Sequence, residues 1–271
     1  MKEARHKLTK QEEFLKKHKR HRVEVTFLRF FVFAAFLTLW ELSATFGWID
    51  SFFFASPRKV AMCFWRLSLK SSLLMHIGIT LWETIASFLL VFGISLLLST
   101  LLWHSAKLSE VLEPYLVILN SLPKSALAPL FIVWLGTGAK TIIVAGISVA
   151  LFGSIISFYT GFRQVDPEKV TLIYTLGGGK KDAFRKVVLP GSVPIMLSTT
   201  KVNIGLALVG VIIGEFLAAR RGLGYLIIYG SQVFQLDMVI TSIILLCIIA
   251  MGFYKGIQFV ERKINHSLKG I

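Results

Sequence analysis

Apolar residues in this chain come in long unbroken runs separated by short polar stretches, not in the two-residue alternation of a half-buried strand. A helix crosses the hydrocarbon core of a bilayer with about 20 apolar residues. Five runs reach or approach that length: Phe30–Trp48, Leu81–Trp103, Lys140–Phe162, Val193–Ile213 and Met238–Val260. A sixth, Val111–Leu135, carries Pro114, Pro123 and Pro129. Proline removes a backbone donor and clashes with the preceding turn. Within a bilayer such a break survives only where protein or a cavity satisfies the backbone again, so this third span is expected to be kinked and packed inside the bundle. The pattern predicts an all-α, polytopic membrane protein with six transmembrane helices.

Composition agrees. Of the 271 residues 55% are hydrophobic and 17% are charged, with a mean hydropathy of +0.70; soluble domains carry about 25% charged residues. The net charge of +15 would suggest nucleic acid in a soluble protein. Here the basic residues cluster in the tail and loops, which fits the positive-inside rule and not a nucleic-acid partner. Nine Lys/Arg residues precede Val23, and the loop after the fourth span adds Arg163, Lys169, Lys180, Lys181, Arg185 and Lys186. The opposite face holds Arg58, Lys59, Arg66, Lys70, Lys140, Arg220 and Arg221. The imbalance places both termini in the cytoplasm. The tail would bind anionic lipid or simply set topology. The first apolar run is too long for a signal-peptide h-region and is expected to stay as an anchor. Between Ser51 and Ser72, after the Ser56-Pro57 turn, Val60, Phe64, Leu67 and Leu69 fit either a short amphipathic helix on the outer surface or an ordinary connector.

The exceptional loop runs from Arg163 to Pro190. Asp166 is a good N-cap, with Pro167 at the first helical position and Glu168 in the first turn. Val170, Ile173, Tyr174 and Leu176 give an apolar face at helical spacing. Gly177-Gly178-Gly179 ends this helix with freedom for positive φ. A second short helix over Lys181–Val188 would present Phe184, Val187 and Val188, and Leu189-Pro190 would stop it before the fifth span. The glycine run is no phosphate loop, because it lacks GxxxxGK[ST] and a preceding strand. Two readings fit: a loop packed on its own bundle, or a helical knob that docks in a groove of a soluble partner.

These residues resemble the permease subunits of bacterial ABC importers with six spans. That family has a cytoplasmic motif of Glu-Ala-Ala, three residues, then glycine, ending later in an apolar-Leu-Pro. Gly177 matches the glycine and Val188-Leu189-Pro190 the ending; Val165-Asp166-Pro167-Glu168 is similar to the approach. Three more stretches resemble the sulfonate, taurine and nitrate subfamily: Ala55-Ser56-Pro57-Arg58-Lys59-Val60, Leu122-Pro123-Lys124-Ser125-Ala126-Leu127-Ala128-Pro129-Leu130, and Gly214-Glu215-Phe216-Leu217-Ala218-Ala219-Arg220-Arg221-Gly222-Leu223-Gly224-Tyr225-Leu226-Ile227. The chain departs from the motif in carrying Thr171-Leu172-Ile173 where the family has Glu-Ala-Ala.

The resemblance implies a type I ABC importer permease fold. A basic tail would span residues 1–25, a first helix and outer connector 26–72, a five-helix permease core 73–260, and a C-terminal tail 261–271. It implies a bacterial inner-membrane protein that translocates a small nutrient delivered by an extracytoplasmic binding protein, paired with a second permease copy. A separate ATPase would bind ATP-Mg and dock on Asp166, Glu168, Val170, Thr171, Ile173, Tyr174, Gly177, Phe184, Leu189 and Pro190. With the carboxylate of the motif missing, the contact is expected on the apolar face around Ile173, Tyr174 and Phe184.

Ionisable residues at membrane depth are costly and often functional. Lys124, Lys201 and Glu215, with the polar Asn203, are candidates for the translocation path, or for bonds inside the bundle. No catalytic, cofactor or metal site is evident. Cys63 and Cys247 stand far apart, and none of the six histidines pairs with a nucleophile or carboxylate at a telling spacing. The rival class, a secondary transporter or channel without an ATPase, would need coupling residues that form a relay in the spans.

Overall fold

The structure, a computed structural model, describes residues 10–50, 54–69 and 72–268. Lys2, Arg5, Lys7 and Lys70 of the charge count lie outside these. The described residues form helices and no strand: α1 Lys10–Thr45, α2 Pro57–Leu69, α3 Ser72–His104, α4 Ala106–Ser121, α5 Lys124–Leu135, α6 Ala139–Arg163, α7 Pro167–Thr175, α8 Lys180–Ala183, α9 Leu189–Ala218, α10 Leu223–Gln232 and α11 Leu236–Leu268. A π turn, Phe184–Val188, joins α8 to α9. Among the described residues, five helical stretches are long and apolar enough to cross a membrane, or six if the bent pair α4–α5 counts as one span.

The chain divides into two units, residues 1–62 and 63–271. In the first, the expected basic tail is not a separate segment from Lys10 onward. No Gly or Pro stands between Lys10 and Thr45, so α1 runs through the basic stretch into the apolar one. The connector after it resolves into helix α2, capped at its start by two oxygens. Ser56 Oγ accepts from the Lys59 N–H at 3.4 Å, and Glu41 Oε2 accepts from the Arg58 N–H at 3.0 Å. An anion there also meets the positive end of the helix dipole. Glu41 is thereby a structural residue.

In the second unit α6 is central, packed against both α9 and α3, which also touch each other. Lipid supplies no hydrophobic drive between helices, so small residues that let backbones approach carry the packing. Gly210 and Gly214 of α9 are spaced as GxxxG and lie on α6. A Cβ at Gly210 would stand 2.8 Å from the Ala145 carbonyl oxygen, and one at Gly214 would stand 2.9 Å from Ile142 Cα. At the same crossing Gly146 also accommodates Ser87 of α3, whose hydroxyl donates to the Glu83 carbonyl at 2.7 Å and to the Ile143 carbonyl of α6 at 3.2 Å. Another apolar cluster joins Cys63 of α2 to Leu73, Leu208, Leu223, Leu226 and Leu245, and Arg66 pairs with Asp237 at 3.2 Å. Helix α11 continues past residue 261, where a tail was expected, because nothing breaks it after Gly256.

The third span differs from its prediction. Only Pro123 breaks it; Pro114 and Pro129 lie inside α4 and α5, which meet at 95°. The pair is not packed inside the bundle: Tyr115 is 60% and Trp134 69% exposed, and only Ser109 and Ala128 are buried. The backbone freed by Pro123 is satisfied locally instead. Lys124 Nζ donates to the carbonyls of Leu119 (2.9 Å) and Asn120 at the end of α4, where a cation also complements the helix dipole.

The glycine crossing is testable. Gly210→Leu has no space and is expected to lower the yield of monodisperse protein in mild detergent at least fivefold. Gly205→Ala, at a glycine with nothing within 4 Å of its Cβ position, leaves the yield unchanged.

Candidate functional site

The loop between α6 and α9 folds as its residues dictate. The Asp166 carboxylate accepts from the Glu168 N–H at 2.9 Å and Pro167 opens α7. The helix ends where Gly177 takes φ +81°, letting the Gly177 and Gly178 N–H groups reach the carbonyls of Tyr174 (3.1 Å) and Ile173 (2.9 Å). Asp182 Oδ2 accepts from the Gly179 N–H at 3.1 Å and starts α8.

Beyond this point the expected hard stop at Leu189-Pro190 is absent. Residues 180–218 form one continuous helical stretch. Pro190 lacks an N–H and would crowd the carbonyl four residues back in a regular helix. The π turn just before it widens the backbone, with the Leu189 N–H bonding the Phe184 carbonyl five residues earlier. Proline is thus carried at the start of α9.

The loop is bolted to the bundle by an aromatic box. Phe184 sits 5.1 Å from Trp103, 5.3 Å from His104 and 5.3 Å from Phe162, centroid to centroid. Lys180 Nζ donates to the His104 carbonyl at 2.8 Å and lies over the Trp103 ring. Val165, Val170 and Leu189 pack on Phe158, Phe162, Val188 and Met196. Ile173 folds back over Gly178. Val170, Phe184 and Leu189, expected to contact a partner, therefore face the bundle. The outward surface is Glu168, Thr171, Leu172, Tyr174 and Leu176, with Leu176 75% exposed. Sequence periodicity had not singled out Leu172, which stands where the family motif has its first alanine.

The four path candidates do not form one site. Lys124 is held by backbone carbonyls, and Lys201 forms an ion pair with Glu261 of α11. Asn203, 3% exposed, lines a groove between α6 and α9. Glu215, fully buried, organises the far end of the bundle. Its Oε2 accepts from the Gly224 N–H at 2.5 Å, and its Oε1 accepts from the Thr80 hydroxyl at 2.6 Å. Thr80 Oγ1 in turn accepts from the Leu223 N–H at 2.8 Å, and His76 Nδ1 from the Gly222 N–H at 2.9 Å. The orphan donors at the start of α10 are thus taken up by a carboxylate, a hydroxyl and an imidazole, and the carboxylate lies at the positive end of its dipole. Gly222, at φ +119°, makes the turn. Buried Glu83 reaches the Glu215 carboxyl, and its own Oε2 has no partner. The sequence signal for this clasp was the spacing of His76, Thr80, Glu83 and Thr84 along one helical face, which the run of apolar neighbours hid.

Removing the Glu215 carboxyl strands buried donors, each worth about 1–3 kcal/mol. Glu215→Ala is expected to lower the thermal unfolding midpoint in detergent more than Thr80→Val. The double variant loses less than the sum of the two, since both act on one network.

Residues 90–264 match the family described as the binding-protein-dependent transport system inner membrane component. A probable ABC transporter permease protein of Haemophilus influenzae is 30% identical over 82% of this chain and 90% of its own length. A permease protein of Escherichia coli strain K12 named for aliphatic sulfonates, SsuC, is 28% identical over 83% of this chain and 86% of its own. Among solved structures, the inward-facing MetNI methionine ABC transporter aligns with a TM-score of 0.63 at 20% identity, over 73% of this chain and 98% of the other, a likeness of fold. With its matched core covering more than half its length, the chain belongs to the family of binding-protein-dependent transport system inner membrane components.

Proposed function

We propose that this chain is the membrane-spanning subunit of an ATP-driven importer, with α7 as the surface on which a separate ATPase docks. One observation carries this reading: a capped helix, anchored through Phe184 and Val170, turns Leu172, Tyr174 and Leu176 away from its own bundle. Exposed apolar residues on a fixed helix suit insertion into a groove. The ATPase, not this chain, would hold ATP-Mg. Two copies of the chain would enclose the pathway, with both termini and α7 on the cytoplasmic side of a bacterial inner membrane. A binding protein would deliver the substrate at the opposite end. The kinship with a permease named for aliphatic sulfonates supports a small oxyanion as cargo. Among the described residues, the buried Glu83–Glu215 pair is the feature a proton-coupled transporter would share. The bonds of Glu215 to the Thr80 hydroxyl and the Gly224 N–H support a structural role instead.

Co-expression with the ATPase subunit tests the docking surface. Leu172→Asp with Leu176→Asp is expected to reduce ATPase co-purification at least tenfold while membrane insertion stays normal. Unchanged co-purification would refute it. Gly177→Val meets no side chain but forces a β-branched residue to φ +81°, a strain of about 1–3 kcal/mol. It is expected to cut substrate uptake severalfold with the protein still inserted.

A further inference from the structure

A groove of about 220 Å³ opens between α6 and α9, lined by Gly153, Ser157, Ser198, Thr199, Val202 and Asn203. Hydroxyls elsewhere in these helices bond back to their own backbone: Ser154 to the Ala150 carbonyl at 2.6 Å, Thr200 to that of Met196 at 2.7 Å, and Ser148 to that of Ala145 at 2.8 Å. That is how a hydroxyl is satisfied in an apolar medium. Ser157, Ser198, Thr199 and the 3%-exposed Asn203 make no hydrogen bond within the described chain. Four polar side chains left unsatisfied on one wall imply something else to bond, because polar groups facing lipid alone are strongly disfavoured.

The chemistry of the wall selects the guest. It offers hydroxyl and carboxamide donors and no carboxylate. The Asn120 Oδ1 lies 3.3 Å from the Cβ position of Gly153, so the missing side chain there makes room for a further carboxamide, brought from the broken span to the edge of the groove. The Asn120 carbonyl accepts from Lys124, so the residue that borders the groove carries a cation on its backbone. Hydroxyls and carboxamides can donate or accept; the cation on Asn120 and the lack of any acid in the wall tip the choice toward an anion. Neutral donors hold it loosely, as a stop on a path requires: binding must be weak enough to allow departure. The cavity has room for a small headgroup or for several waters at about 30 Å³ each.

We propose that this groove is a transient binding site for the oxyanion head of a sulfonate-class substrate, with Asn203, Ser198, Thr199 and Ser157 as its hydrogen-bonding wall. This rests on reading the chain as half of a translocation pathway, and it adds where in the membrane the cargo is held and by which atoms.

The test uses the full chain in native membranes, with Cys63→Ala and Cys247→Ala as background. Ser198→Cys, or Thr199→Cys if that variant fails to insert, is labelled with a methanethiosulfonate bearing an ethylsulfonate group and with its trimethylammonium counterpart. Rates are normalised to a free thiol in solution. Ser198→Cys is expected to react with the sulfonate reagent at least tenfold faster than Leu97→Cys, at an exposed leucine of α3. It is also expected to prefer the anionic reagent and to be slowed at least threefold by millimolar ethanesulfonate. Asn203→Ala should remove that protection. Labelling no faster than at Leu97 would overturn the proposal, showing the groove sealed by lipid or a second copy. So would labelling without anion preference or ethanesulfonate protection, or protection that survives Asn203→Ala. The measurement needs no ATPase. Failure of the chain to capture an ATPase would overturn the importer reading while leaving groove protection to stand or fall by itself.

Discussion

Every backbone N–H and C=O at membrane depth must find a partner inside the protein, because hydrocarbon offers none. The irregular places of this fold are three answers to that constraint. Where Pro123 interrupts the third span, a lysine ammonium takes the stranded carbonyls. Where α10 begins inside the bundle, Glu215, Thr80 and His76 take the stranded amides. Where Pro190 enters a helix, a π turn shifts the bonding by one residue. In each case a residue that looks functional by its charge or rarity is first a device for keeping the backbone paired.

This explains what could be read from the residues alone. Run length and the loop's caps are local properties, so five spans, the Asp166 cap and the Gly177 bend were legible. So was the family, whose motifs stand in order along the chain. The direction each side chain faces is a tertiary property. Phe184 and Tyr174 look equivalent as apolar loop residues, and only the neighbouring Trp103, His104 and Phe162 turn one inward. Lys201 fits a path charge or a bond inside the bundle equally well by sequence, and only Glu261, sixty residues on, decides for the bond. Proline was weighed too heavily: three of four predicted breaks, at Pro114, Pro129 and Pro190, lie within helical stretches.

The small residues have a similar double reading. Gly210 and Gly214 bring α9 onto α6 as closely as backbones allow. One turn and more away, Gly153 and the free hydroxyls around Asn203 leave the same pair of helices apart. One seam is closed near Glu215 and open toward the loop.

The unbroken stretch from Lys180 to Ala218 has a mechanical consequence. Its 39 residues, at about 1.5 Å each, measure roughly 58 Å along the axis. The aromatic box sits at one end, the Glu215 clasp at the other and the glycine crossing beside the clasp. The loop and the distant clasp therefore share one backbone, and a substitution that re-angles the first turns of this helix alters the seat of the second.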